Sequence, residues 1–147
     1  LEALKLRPNL NLFCIDKRIG SKALIIENAR RLGVTPIDIF EEDINNFFIS
    51  NNQNPLKNAN RVIIGGCDKK TKIRIINELS KNMKLGDILA IPLIDFQTIK
   101  DLREFLKEKN FEVTLNLIQT YKSLSISEGL RLDPNNPVFL LRGKKLN

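Results

Sequence analysis

LNLFCIDKRIGSKALIIENARRLGVTPIDIFEED, residues 10–43, reads as strand, acidic residue, helix, strand, acidic residue. Leu10 to Ile15 is apolar on both alternating sides, the pattern of a parallel strand covered on both faces, and Asp16 ends it. Ser21 to Leu32 places Ile25, Ala29 and Leu32 on one stripe with Ile26 beside it, and Gly33 suits a left-handed helix end. Ile37 to Phe40 forms a second short strand, followed by Glu41, Glu42 and Asp43. Ligands of open α/β sheets bind beyond the carboxyl ends of the strands. Nucleotide-binding members place a ribose carboxylate there and then a base contact. On that reading Asp16 accepts hydrogen bonds from two ribose hydroxyls. Its alternative roles are capping near Ser21 or pairing with Lys17 or Arg18. Asp43 would meet the exocyclic amine of adenine and Ile44 would cover the base. Glu41 and Glu42 compete for the amine, and an acidic first helical turn is the competing structural role.

Working outward, LEALKLRPN looks like the tail of a helix stopped at Pro8 and Asn9. After a helical turn over Ile44 to Ile49, Asn51 to Asn60 is polar, contains Pro55 and reads as a surface loop. Arg61 to Ile64 is a further buried strand running into Gly65-Gly66. A helix from about Lys70 to Met83 turns Ile73, Ile76, Leu79 and Met83 inward. Asp87 to Ile94 is a strand, and Asp95 can cap the helix carrying Ile99, Leu102, Phe105 and Leu106. Two more strands follow, Phe111 to Thr120 and Val138 to Arg142. Tyr121 to Pro137 between them is a strand extension or a loop. The alternation predicts a mainly parallel α/β sheet with one antiparallel C-terminal strand at or near an edge. A single domain over residues 1–147 is the simplest organisation.

The chain has no histidine, which excludes Ser-His-Asp and Cys-His catalysis and histidine-ligated zinc. Cys14 and Cys67 are too few for a disulfide framework or a zinc site; no metal site is expected, and a reducing cytoplasm suits them. There is no apolar run long enough to cross a bilayer. Residues 1–60 carry 8 basic and 7 acidic groups, and residues 61–147 carry 16 and 10. The basic second part favours an anionic partner, or is simply a solvated Lys-rich surface. Gly65 and Gly66 let the backbone turn and a ligand approach, or make a plain tight turn. Lys69, Lys70, Lys72 and Arg74 form a cationic cluster that reads best as a solvated helix face. Lys122 and Arg131 stand in the long connection, which could clasp a polycarboxylate, twist as a hairpin or contact another subunit. No residue is identified as a catalytic acid or base.

Four pieces then carry a resemblance: LNLFCIDKRIGSKALIIENARRLGV, RVIIGG, KLGDILAIPLID and NFEVTLNLIQTYKSLSISEGLRLDPNNPVFLLRGKK. Over nearly all its length the chain resembles the decarboxylating precorrin carbon-15 methyltransferases, class I S-adenosylmethionine-dependent enzymes of corrin biosynthesis. Asp16-Lys17, Asp43-Ile44, Gly65-Gly66 and Asn136-Pro137-Val138 match the family pattern. The resemblance implies a Rossmann-like methyltransferase sheet of order 3-2-1-4-5-7-6, here expected to lack the first strand and glycine-rich loop. It also implies S-adenosyl-L-methionine as cofactor, held by Asp16, Lys17, Asp43, Ile44 and Gly65. A tetrapyrrole polycarboxylate would meet Gly66, Lys122 and Arg131. A homo-oligomer, a fused or partner tetrapyrrole methylase domain and a cytoplasmic, membrane-free setting without nucleic acid complete the expectation. Its rivals are an RNA or other small-molecule methyltransferase and a non-catalytic remnant of the fold.

Overall fold

The computed structural model describes residues 1–50 and 55–147. The chain divides into two compact units, residues 1–55 and 56–147.

The first unit holds α1 (Glu2–Leu6), β1 (Phe13–Ile15), α2 (Ser21–Leu32), β2 (Asp38–Phe40) and α3 (Ile44–Ser50). β1 and β2 are parallel, with Cys14 opposite Ile39. α2 ends as the sequence predicts: Gly33 is left-handed, and its N–H and that of Val34 close on the carbonyls of the last turn. Leu4, Ala29 and Phe47 are buried, and Phe47 packs edge-on against Phe40 with ring centroids 4.9 Å apart. β1 is shorter than the expected Leu10 to Ile15 and only half-buried, and Leu10 is exposed. The reason is local, because β1 has one strand partner among the described residues, and strand character fades where no ladder supports it.

A 3-10 turn at Pro55–Asn58 leads into the second unit. The remainder of the expected surface loop, residues 51–54, lies outside the described residues. Then come β3 (Arg61–Ile63), α4 (Lys69–Ser80), β4 (Ile88–Leu93), α5 (Phe96–Glu108), β5 (Phe111–Ile118), β6 (Tyr121–Ile126), β7 (Gly129–Pro134) and β8 (Val138–Lys145). The main sheet has the order β3-β4-β8-β5. β3 and β4 are parallel. β8 is antiparallel to both β4 and β5, so β3, β4 and β5 run one way and the last strand alone opposes them. β1 with β2, and β3-β4-β8-β5, are the pair 2-3 and the run 4-5-7-6 of the expected order. The fold is thus α/β and mostly parallel, with an antiparallel C-terminal strand one place in from the edge.

Ile76, Leu79, Met83, Leu89, Ile91, Leu102, Leu106 and Leu141 make the core between α4, α5 and the sheet. Gly143 in β8 sits where α5 presses on the sheet: a Cβ there would lie 3.2 Å from Phe111 Cδ1 and 3.4 Å from Leu106 Cδ2. Two expectations are corrected. Ile63 is 78% exposed rather than buried, since β3 pairs on one edge only among the described residues. Lys72 belongs to the interior, at 7% exposure, and not to a solvated cationic face. Of the two readings of Tyr121 to Pro137, strand extension or loop, the structure takes the first. β6 and β7 form a two-stranded hairpin that prolongs the β5–β8 pair. The join is a bulge: two residues, Gln119 and Thr120, face three, Asn135 to Pro137. Asn135 ties it together, donating its N–H to the Thr120 carbonyl at 2.9 Å and its side-chain amide to Thr120 Oγ1 at 2.8 Å.

Candidate functional site

In the first unit the carboxyl ends of β1 and β2 bring together the acidic residues singled out by sequence. The ladder continues one step past β1, with the Asp16 N–H on the Phe40 carbonyl at 3.0 Å, and the Glu42 N–H returns to the Asp16 carbonyl at 3.2 Å. This fixes the backbone of Asp16 at the rim. Its side chain is held by Arg18. Nη2 lies 2.6 Å from Oδ2, Nε reaches both oxygens, and the Arg18 N–H donates to Oδ1 at 3.0 Å. These bonds keep the Asp16 carboxyl below the usual aspartate range. One of the alternative roles weighed for Asp16, pairing with Arg18, is therefore present. Ser21 Oγ donates to the Asp16 carbonyl, not to its carboxylate.

Asp43 has its own local duty. Its Oδ1 accepts the N–H and the side-chain amide of Asn45 at 2.8 and 2.9 Å, so it opens α3. Lys17 Nζ lies 3.9 Å from Asp43 Oδ2, joining the residue after β1 to the one after β2. Ile44 follows, half-buried. Glu41 takes a part that sequence did not assign: it accepts the Lys22 N–H at 3.0 Å at the start of α2, which lowers its carboxyl from the ordinary glutamate value. The positive end of α2 is thereby filled by a carboxylate of the chain itself.

In the second unit β3 runs into Gly65 and Gly66. Gly66 has φ +68°, the left-handed region, and its α-carbon faces open space. Only there does the turn require glycine. A Cβ added at Gly65 would meet Pro92 of β4 only at ordinary van der Waals distance, 3.9 Å from its Cγ. Asp68 caps α4, accepting the Thr71 N–H and hydroxyl at 2.9 Å each. The buried Lys72 reaches back from α4 to donate Nζ to the Cys67 carbonyl, pinning the loop that carries both glycines. The sequence reading had not assigned this cap, although the D-x-x-T spacing is its signal. Nothing in the sequence distinguished Lys72 from its lysine neighbours except its place on the same helical face as Ile75, Ile76 and Leu79. Asp95 caps α5 as expected. Lys122 and Arg131 lie on one face of the β6–β7 hairpin, which leaves the sheet from the carboxyl end of β5, the edge at which β3 ends in the two glycines. Arg131 is 3.8 Å from Asp133. Among the described residues no group of His, Cys, Asp or Glu could hold a metal ion, and neither cysteine is in a disulfide.

Among solved structures, the chain is similar to a precorrin-6y C5,15-methyltransferase from Geobacter metallireducens, with TM-score 0.81 and 19% identity over 98% of this chain and 73% of that one. The chain has a methyltransferase fold. It is also similar to precorrin 8w decarboxylase from Methanobacterium thermoautotrophicum, with TM-score 0.77 and 17% identity over 96% of this chain and 74% of that one. A tRNA (m1A58) methyltransferase from Aquifex aeolicus matches with TM-score 0.62 and 14% identity over 92% of this chain and 53% of that one. No family model matches the chain. No curated protein matches it either. Among the described residues, no helix of this methyltransferase fold is long and apolar enough to cross a membrane.

Proposed function

We propose that the chain takes the methyl group of S-adenosyl-L-methionine to carbon 15 of a precorrin or cobalt-precorrin, with loss of an acetate carboxyl group, in corrin biosynthesis. One observation carries the reading: Asp16 after β1 and Asp43 after β2, at one strand edge and linked through Lys17. A ribose diol binds well to a fixed carboxylate, and an exocyclic amine to the next one. The residues fit an adenosyl group better than a phosphate-bearing nucleotide. Asp16, Glu41 and Asp43 are three carboxylates, and Glu41 already fills the α2 terminus, the place where a phosphate would be welcome. Arg18 competes for Asp16, but its side chain is 80% exposed, and solvent screens such a surface pair so that a ligand can displace it.

When bound, the donor supplies an already activated methyl group, so alignment can carry much of the catalysis. The absence of histidine fits such chemistry. In the second unit the reading gives Gly65 a cofactor-side role. Gly66, Lys122 and Arg131 would meet the substrate carboxylates, and the setting is cytoplasmic, with a tetrapyrrole methylase domain fused or as partner. The likeness to two precorrin enzymes over nearly the whole chain supports that substrate class.

Calorimetric titration with S-adenosylhomocysteine tests the cofactor. Binding that falls at least tenfold in Asp16→Asn supports the reading, whereas no heat and no protection from melting would leave a non-catalytic form of the fold. Methyl transfer to a cobalt-precorrin with release of carbon dioxide tests the substrate. One observation favours a second reading, an RNA methyltransferase. Residues 1–55 hold seven basic and seven acidic groups, so the whole net charge of +7 belongs to residues 56–147. RNA binding that weakens steeply with salt would support it.

A further inference from the structure

At the carboxyl end of β4 two large apolar side chains stand in the open: Ile94 is 77% and Phe96 71% exposed. They flank Asp95, the cap of α5. The residue before a cap often packs on the fourth residue of its helix. Here that fourth residue, Ile99, is buried while Ile94 stays in solvent. Phe96 touches Phe139 at the start of β8, with ring centroids 4.7 Å apart and planes at 61°. Phe139 stands in the sheet between the buried Leu93 of β4 and the exposed Leu117 of β5. An apolar strip thus runs from the interior out to the Phe96 ring. The charge beside it is turned away: the Asp95 carboxylate accepts the N–H groups of Gln97 and Thr98, which also closes the positive end of α5.

We propose that Phe96, with Ile94 beside it and Phe139 behind it, is the specificity-determining surface on which the flat face of a conjugated macrocycle lies, with the acidic rim of that macrocycle toward Lys122 and Arg131. This rests on the proposed reaction and adds to it the residues that select the substrate. The occupant follows from what the edge offers. β3 ends there in Gly65 and Gly66, and the hairpin carrying Lys122 and Arg131 leaves from there. Arg131 keeps its donors for a ligand, since Asp133 lies 3.8 Å away, beyond hydrogen-bond length. An apolar peptide would cover the rings and leave the two cations unanswered. A small polycarboxylate would answer the cations and leave the rings in water. A broad ring system with carboxylates on its rim does both. The Phe96 ring meets Phe139 edge-on and so keeps a face free for offset stacking.

Two probes titrated into the full chain test the surface: uroporphyrin, a flat macrocycle with a carboxylate rim, and citrate, a polycarboxylate without a ring. Uroporphyrin should bind with a shift of its main absorption band. Phe96→Ala should weaken it about tenfold or more and remove the shift, and Phe96→Leu, which keeps apolar bulk without a ring, should weaken it about threefold. Both variants should keep the wild-type circular dichroism, because Phe96 is exposed. Citrate should bind more weakly than uroporphyrin, and neither its affinity nor that of S-adenosylhomocysteine should respond to Phe96. Phe96-dependent uroporphyrin binding by a chain that transfers no methyl group would remove the proposed reaction and leave this surface standing. Tight S-adenosylhomocysteine binding with uroporphyrin indifferent to Phe96 would do the reverse. The proposal is also overturned if uroporphyrin does not bind, if polyadenylate binds as tightly with the same dependence on Phe96, or if the sedimentation mass falls in Phe96→Ala, which would make the strip a contact between copies.

Discussion

The Arg18 guanidinium lies as a fork on the Asp16 carboxylate, with Nη2 2.6 Å from Oδ2 and Nε 3.0 and 3.1 Å from the two oxygens. The backbone of Asp16 is fixed by the ladder, so Arg18 is the movable partner. A sugar diol that uses Asp16 must displace it. Arg18→Met should therefore tighten S-adenosylhomocysteine binding by up to about fivefold, the value of an exposed pair. Calorimetry checks this, and weaker binding would mean that Arg18 itself touches the ligand.

Stability should be insensitive to pH from 8 to about 5 and decline below that. Hydrogen bonds hold five carboxyls below their ordinary values: Asp16 through Arg18, Glu41 through the Lys22 N–H, Asp68 through Thr71, Asp95 through Thr98, and Asp101 through Lys69. A depressed native pKa stabilises fully above the unfolded value, roughly 4, and that contribution is lost as pH falls through the native value. With no histidine in the chain, nothing of that kind titrates between pH 5 and 8. Thermal melts from pH 8 to 3 provide the measurement. Asp95→Ala and Asp68→Ala, which delete two of the groups, should shrink the acid-side drop.

Periodicity and punctuation made most of the fold legible. α2 falls on its predicted residues because a clean apolar stripe ends in a glycine that can turn left-handed. Asp95 was readable as a cap because its spacing to Thr98 is that of the hydrogen bond it accepts. Asp16 and Asp43 were readable because strand ends and acidic residues coincide. What stayed hidden depends on partners distant in sequence. Alternation says that Ile63 can face a core, but only neighbouring strands decide whether it does. Lys72 looks like one more surface lysine until Cys67 supplies its acceptor. The β6–β7 hairpin was hard to read because its alternation mixes serine and leucine on one face, a pattern that a loop also shows.

Lys72→Met should destabilise the second unit and loosen its glycine loop. The ammonium is buried and donates to the Cys67 carbonyl directly after Gly66. Removing a buried donor costs about 1–3 kcal/mol, readable as a lower urea midpoint. The loop itself should respond as well: disulfide-reagent labelling of Cys67 should accelerate while that of Cys14 does not. An unchanged Cys67 rate would show that the loop holds without Lys72.

Gly143 lets α5 approach the sheet closely, and a double-mutant cycle can expose this. In Gly143→Ala the new methyl meets Phe111 Cδ1 at 3.2 Å and Leu106 at 3.4 and 3.5 Å, between two side chains that are themselves buried. Overpacking of that kind costs about 1–3 kcal/mol, less roughly 0.4–1 kcal/mol recovered from the stiffer unfolded chain. Leu106→Ala alone should cost about 2–5 kcal/mol, because it opens a cavity where the methyl would otherwise collide. The two changes share one volume, so the double variant should be more stable than the sum of the single losses predicts. Denaturant unfolding of the four chains measures the coupling. Simple additivity would mean that the helix does not bear on Gly143 and that its close approach to the sheet has another cause.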